Sequence, residues 1–189
     1  MSASQPNNKI LLHICCAGCG AFVSQLLASD YEVVPFYYNP NIFPANEYWQ
    51  RAAEIKKIAQ QFKLEIIIVD YDHESWLKKI AGHENDEERG ERCWLCYRDR
   101  LQATATAART RGILNFTSTL TVSPHKLAWV INKIGQELAS EYNLNFLEKD
   151  FKKQDGFKKA AVLSRELGLY RQDYCGCEFS QRPKIKVDC

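Results

Sequence analysis

Proline and glycine are scarce in this sequence, 6 and 9 among 189 residues, and methionine occurs once. So few chain breakers exclude a collagen-like repeat and argue against a disordered chain. With 46% hydrophobic and 25% charged residues, the composition is that of an ordinary folded domain. Internal repeats and low-complexity stretches are absent, and so are the phosphate-binding fingerprints. Neither G-x-x-x-x-G-K-[ST] nor a complete G-x-G-x-x-G occurs, and Gly18-Cys-Gly20 is only a fragment of one. The four histidines, His13, His73, His83 and His125, lack metal-ligand spacing and read as packing or surface residues. His125, just behind Thr117-Ser-Thr119 and Ser123-Pro124, is kept as a candidate proton donor. The run Ile10 to Ser29 has no Asp, Glu, Lys or Arg, which raises a secretory signal or a membrane span. His13, Gly18, Gly20, Ser24, Gln25 and three cysteines interrupt it, so it reads better as a buried strand followed by a short helix. The expectation is a soluble, cytoplasmic protein with reduced thiols and no membrane partner.

What the chain does have is cysteine: Cys15, Cys16, Cys19, Cys93, Cys96, Cys175, Cys177 and Cys189, eight in all. A chain of this length buries roughly 70% of its unfolded surface on folding and supports one core without covalent staples. Stability therefore does not account for the thiols. In a reducing compartment they are ligands or catalysts.

Apolar runs of strand length alternate with segments of helical period, the signature of βα units around a mainly parallel sheet. Strands are expected at Lys9–Ile14, Glu32–Tyr38, Leu64–Val69, Leu114–Thr117 and Leu144–Leu147. Helices are expected at Ala21–Ala28, Glu47–Gln61, Glu74–Ala81, Trp94–Arg111, Pro124–Tyr142 and Gly156–Leu167. Ser123 is placed to cap the helix that Pro124 begins, while Gly112 and Gly168 are placed to end theirs. The charged segment Glu84–Arg92 reads as a mobile loop. The expected organisation is a single domain over residues 1–189, with a flexible N-terminus (1–8) and a cysteine-containing tail (170–189). In open α/β sheets, ligands bind beyond the carboxyl ends of the strands. Cys15, Cys16 and Cys19 follow the first strand, Cys93 and Cys96 open a long helix, and Cys175 and Cys177 lie in the tail, so the three groups are expected to meet there. Helix N-termini also favour thiolate over thiol.

Cys93-Trp-Leu-Cys96 is a C-x-x-C pair, able to bring two thiolates onto a metal or a cluster. With Cys175 and Cys177 it would make a four-cysteine zinc site, but that leaves Cys15 and Cys16 unused. Adjacent residues chelate one small tetrahedral ion awkwardly, whereas an iron–sulfur cubane offers separate corners. Cys15, Cys16, Cys93 and Cys96 thus form a candidate [4Fe–4S] ligand set, with Cys19 as an optional further ligand. Cys175-Gly-Cys177 would close a strained, readily reduced disulfide and so store two electrons; both sulfurs as ligands of a second metal is the competing reading. Cys189 reads as a free thiol in a frayed tail.

The net charge of +2 says little about partners, but its distribution says more. Residues 1–100 carry 11 Lys and Arg against 14 Asp and Glu, and residues 101–189 carry 14 against 9. The basic side interleaves Lys152, Lys158, Arg171 and Lys184 with Phe157, Tyr170 and Tyr174, a pattern suited to a phosphate backbone with exposed bases.

Five motifs then carry a resemblance: His13-Ile-Cys-Cys16-Ala, Phe36-Tyr-Tyr-Asn-Pro-Asn-Ile42, Glu91-Arg-Cys-Trp-Leu-Cys-Tyr97, Phe116-Thr-Ser-Thr-Leu120 with Ser123-Pro124, and Tyr170-Arg-Gln-Asp-Tyr-Cys-Gly-Cys-Glu-Phe-Ser180. In this order they resemble the cobalamin-independent epoxyqueuosine reductases, the QueH family. Ser118 and Val122 depart from the Thr and Leu expected there. The resemblance implies a HUP-like α/β domain and the last step of queuosine synthesis, in which an epoxide on a modified guanine at the tRNA wobble position is reduced to the alkene. It also implies a [4Fe–4S] cluster on Cys15, Cys16, Cys93 and Cys96, a redox-active Cys175/Cys177 pair and an external electron donor. A second, mononuclear iron would draw in Cys19 or the tail cysteines. Arg171, Lys184 and Asn39 are the candidate contacts to the tRNA. A zinc-stabilised RNA-binding module and a metal-free thiol-disulfide oxidoreductase remain the alternatives.

Overall fold

The charge-free run after Lys9 folds as a strand, β1 (Lys9–His13), and then a helix, α1 (Ala17–Leu27), in the computed structural model, which describes residues 8–180. With β2 (Glu32–Tyr37), β3 (Ile67–Ile68), β4 (Asn115–Ser118) and β5 (Asn145–Phe146) it builds a five-stranded sheet of order β3-β2-β1-β4-β5. Every neighbouring pair is parallel, and His13 at the end of β1 stands level with Phe36 and Ser118. The chain winds outward from β1 to one edge and then returns to the other side. The strand order therefore reverses beside β1, where a ligand crevice opens at the carboxyl ends.

Between the strands run α2 (Ala45–Phe62), α3 (His73–Lys79), α4 (Glu91–Thr110), α5 (Ala128–Tyr142) and α6 (Gly156–Glu166). Ile10 and Leu12 of β1 face a core with Val23, Ile55 and Ala160, from α1, α2 and α6. Leu11 faces the opposite core with Leu101, Ile131 and Leu138, from α4 and α5. Burial on both faces is why β1 reads as a continuous apolar run instead of an alternating one. Among the described residues, no helix is long and apolar enough to cross a membrane.

Both glycine stops hold, with Gly112 and Gly168 at φ of 66° and 60°. Four expectations are corrected. The edge strands β3 and β5 are each two residues long, because an edge has a ladder partner on one side only. Helix α1 begins at Ala17, four residues before the expected start, directly on the cysteine turn with Cys16 as its cap residue. Pro124 does not open α5: Thr119–Val122 forms a 3₁₀ turn capped by Ser118 Oγ, Ser123 Oγ accepts from the His125 N–H, and the helix starts at Ala128. The Glu84–Arg92 segment is tied down. Arg92, 3% exposed, donates to the carbonyls of His83, Glu84 and Asp86, and the Asp86 carboxylate accepts from the Arg92 N–H. Lys184, Cys189 and the N-terminal residues 1–7 lie outside the described residues.

Candidate functional site

At the end of β1, the buried His13 ties three segments together: Nδ1 lies 2.9 Å from Ser118 Oγ and Nε2 lies 3.1 Å from the Tyr38 carbonyl. Burial, helped by the charge of Arg100, pushes its pKa down to about 3, so it is a neutral brace. Beyond Ile14 the backbone turns at Cys15, whose N–H donates to Thr119 Oγ1 at 3.4 Å. Beneath this turn Asn39 Nδ2 donates to the Ile14 carbonyl at 2.9 Å. Asn39, expected at the RNA, is fully buried and supports the cysteine turn from below.

Helix α4 carries Cys93 and Cys96 in its opening turns, and Cys93 Sγ accepts from the Arg89 N–H at 3.3 Å. Cys96 packs with Trp76, Ile80 and Cys177 in a small third core. The tail after α6 is strapped across the loop between β2 and α2. Tyr170 N–H donates to Glu54 and Tyr170 OH to Glu47, both at 3.0 Å. The buried Arg51 pairs with Glu47 at 2.7 Å and donates to the carbonyls of Cys175 and Tyr174 at 3.2 and 3.4 Å. The Gly176 carbonyl accepts from the Phe43 N–H at 2.8 Å, and Glu178 meets His73 Nε2 at 3.0 Å. The strap brings Cys177 against Cys96 and turns Cys175 toward open space.

That space is a cavity of about 500 Å³ lined by Cys15, Cys16, Cys19 and Cys175 together with His125, Lys126, Phe157, Tyr170 and Arg171. All seven described cysteines are free thiols. Contact with the Cys16 thiol, then burial, pushes Cys15 up, and burial pushes Cys96 up to about 12. Cys16 rises to about 11, its contact with Cys15 working downward but outweighed by Cys19 and burial. Burial thus overrides the helix N-terminal effect expected from the sequence. Two cations stand among these sulfurs. Arg100, 1% exposed, donates from Nε to the Cys96 carbonyl at 3.2 Å, while its Nη2 has no partner. Lys126 is held protonated: burial opposes its charge, but Cys175, Cys15 and Tyr97 raise its pKa well beyond the ordinary lysine value. Among the described residues, no carboxylate pairs with either cation. The three donor atoms of His83, Asp86 and Glu91 lie within 4.8 Å of one another, and no three of the described cysteine sulfurs are that close.

The sequence model of the family described as "Epoxyqueuosine reductase QueH" matches residues 10–183, nearly the whole chain and every cysteine but Cys189. This chain belongs to the QueH family of epoxyqueuosine reductases. A relative of that name from Streptococcus pyogenes serotype M1 is 32% identical over 180 residues, covering 92% of this chain and 71% of its own length. One from Haemophilus influenzae is 36% identical over 182 residues, covering 95% of this chain and 74% of its own. The family is one of oxidoreductases. Among solved structures, the U34-tRNA thiolase NcsA from Methanococcus maripaludis, with its [4Fe-4S] cluster, superposes with a TM-score of 0.56 at 15% identity. That match covers 93% of this chain and 62% of the thiolase chain, and it shows the expected HUP-like fold.

In this QueH-family chain the expected site residues Cys15, Cys16, Cys19, Cys175, His125 and Arg171 line one cavity. Cys93, Cys96 and Cys177 do not line it; Cys96 and Cys177 pack together behind it. Sequence reasoning missed Lys126, Thr119, Arg100 and Arg51. For Arg100 one signal was present, its place four residues after Cys96 on the same helix face.

Proposed function

We propose that this chain reduces epoxyqueuosine to queuosine at the wobble position of a tRNA, with Cys15, Cys16, Cys93 and Cys96 holding a [4Fe–4S] cluster and Cys175 with Cys177 acting as a dithiol. The observation that carries this reading is the buried Arg100, 1% exposed and with Nη2 unpartnered, behind a half-buried Lys126 on the cavity wall; among the described residues no carboxylate pairs with either. Burying a lone cation is costly, and thiolates around a cluster would supply the missing negative charge. Thiols pushed up by burial ionise when iron displaces their protons.

When bound, such a cluster passes electrons one at a time. The chain's own groups account for the rest of the balance. Both C–O bonds of the epoxide break, the oxygen leaves as water, and the ring keeps a C=C bond, which requires two electrons and two protons. Closing Cys175 and Cys177 to a disulfide releases two of each. An external donor of two electrons then reopens the disulfide. Lys126, at the cavity wall beside Cys15 and Cys175, is the group placed to stabilise the departing oxygen. His125 lies next to it on the same wall. Cys19 and Cys175 are the cavity thiols open to a second, mononuclear iron.

Anaerobic purification with iron and sulfide analysis tests the cofactor: about four of each per chain is expected, whereas one zinc without sulfide, or no metal at all, overturns the reading. Cys93→Ala or Cys96→Ala abolishes cluster assembly. Cys175→Ala keeps the visible spectrum but stops conversion of epoxyqueuosine in tRNA, as followed by mass spectrometry of the digested nucleosides. Loss of the cluster in Cys175→Ala would assign that thiol to the metal instead.

A further inference from the structure

The wall of the cavity continues onto an exposed aromatic surface shared by two helices. Trp94 in the first turn of α4 and Trp129 in the first turn of α5 meet edge to face, their ring centroids 5.9 Å apart and planes at 78°. They are 39% and 60% exposed, and Trp129 is the most exposed large apolar side chain among the described residues. Paired indoles in water are an unfavourable surface unless a partner covers them. One turn further along each helix stands a cation, Arg98 after Trp94 and Lys133 after Trp129. Arg98 bridges the helices to Glu137 at 2.8 Å.

Arg89 fixes this surface to the site. Its carbonyl accepts from Trp94 Nε1 at 2.8 Å, and its Nε donates to the His125 carbonyl at 3.1 Å. Its φ of 77° is a left-handed conformation that a non-glycine residue holds only where the surroundings fix it. Its neighbours on either connection, Glu88 and His125, line the cavity, so the aromatic surface begins where the cavity ends.

We propose that Trp94 and Trp129, with Arg89, Arg98 and Lys133 around them, form a stacking platform for the unpaired nucleotides that flank the base in the cavity. This inference rests on the tRNA reading above. A base can enter the cavity only by leaving its stack, and the neighbours it abandons then lose stacking on one face. Indoles beside the cavity restore that contact without regard to sequence, and cations one turn away meet the intervening phosphates. An edge-to-face pair leaves the broad face of one ring free for such a base.

The test uses the cluster-loaded enzyme and an anticodon stem-loop carrying epoxyqueuosine. Trp129→Ala weakens binding of that RNA by about 5- to 150-fold, the loss of one stacked base. Trp129→Phe recovers most of it, and both variants keep wild-type iron, sulfide and visible spectrum. The loss appears in KM while kcat stays close to wild type. Unchanged RNA affinity in Trp129→Ala overturns the platform, and so does a defect seen only with a protein electron donor and not with a small chemical reductant, which would make the surface a reductase dock. If the wild-type enzyme leaves the RNA unconverted, the functional reading fails and takes the platform with it; if it converts the RNA and Trp129→Ala binds normally, the platform alone fails.

Discussion

Arg100 concentrates the electrostatics of the site in one residue. Its guanidinium is 1% exposed, reaches the Cys96 carbonyl and Asn39 Oδ1, lies 5.7 Å over the Tyr97 ring, and still leaves Nη2 without a partner. At an effective dielectric of about 20, a unit charge several ångströms from a redox centre is worth roughly 1–3 kcal/mol. For one electron that corresponds to on the order of 50–130 mV. Arg100→Met, similar in length and uncharged, therefore shifts the midpoint potential of the cluster in the negative direction by that amount, because the reduced state loses more stabilisation than the oxidised one. A spectroelectrochemical titration measures it, and an unchanged potential would place the guanidinium outside the cluster's field. The place of Arg100 four residues after Cys96 was the one signal in the sequence, and spacing alone does not show burial. Arg100 stands beside Arg98 and Asp99 on a mixed helix, and only tertiary packing buries Arg100 and Asp99 while leaving Arg98 at the surface.

At the scale of elements, hydrophobic period located every strand and helix to within a few residues, since both faces of β1 and β2 are buried and their runs are unambiguous. The expected start of α1 at Ala21 is four residues late and leaves Gly18 and Gly20 outside the helix. They lie inside the helix because the packing is close: a Cβ on Gly18 would stand 2.9 Å from Ser164 of α6, and one on Gly20 would stand 2.8 Å from Ile14. The same physics holds at Gly135 in α5, away from the cysteines, where a Cβ would meet the Phe146 ring at 2.5 Å. Alanine gains about 1 kcal/mol of helix propensity over glycine, while overpacking costs typically 1–3 kcal/mol. At 2.5–2.6 Å from three carbons of a buried ring the clash wins. Gly135→Ala is accordingly destabilised, with Tm lowered by about 2–8 °C, and pairing it with Phe146→Leu recovers part of the loss. Calorimetry on both variants checks this; a raised Tm in Gly135→Ala would show that the ring yields freely.

For the whole molecule, the sheet and the site are separately built. The buried members of the two large cores are aliphatic and aromatic side chains on either face of the sheet; Cys19 packs against the edge of one, and Cys15 and Cys93 against the edge of the other, without being buried members. Cys96 and Cys177 belong to the small third core with Trp76 and Ile80, joined at its edge by Phe179. Convergence of the three cysteine groups was legible because parallel topology sends every strand end to one side. The strap was not, because Arg51 reaches carbonyl groups 123 and 124 residues away, and a carbonyl acceptor carries no residue type to read. This division predicts what iron removal does. In a zinc finger the metal provides the folding energy, and the apo chain unfolds. Here anaerobic chelation leaves the far-ultraviolet circular dichroism and the slow amide exchange of β1, β2 and β4 in place. Protection falls instead around Cys15 and Cys16 and in the first turns of α4, where the four proposed ligands lose their common anchor. Hydrogen exchange with and without iron resolves the two regions, and a global collapse of protection would mean that the cluster, and not the sheet, holds the fold together.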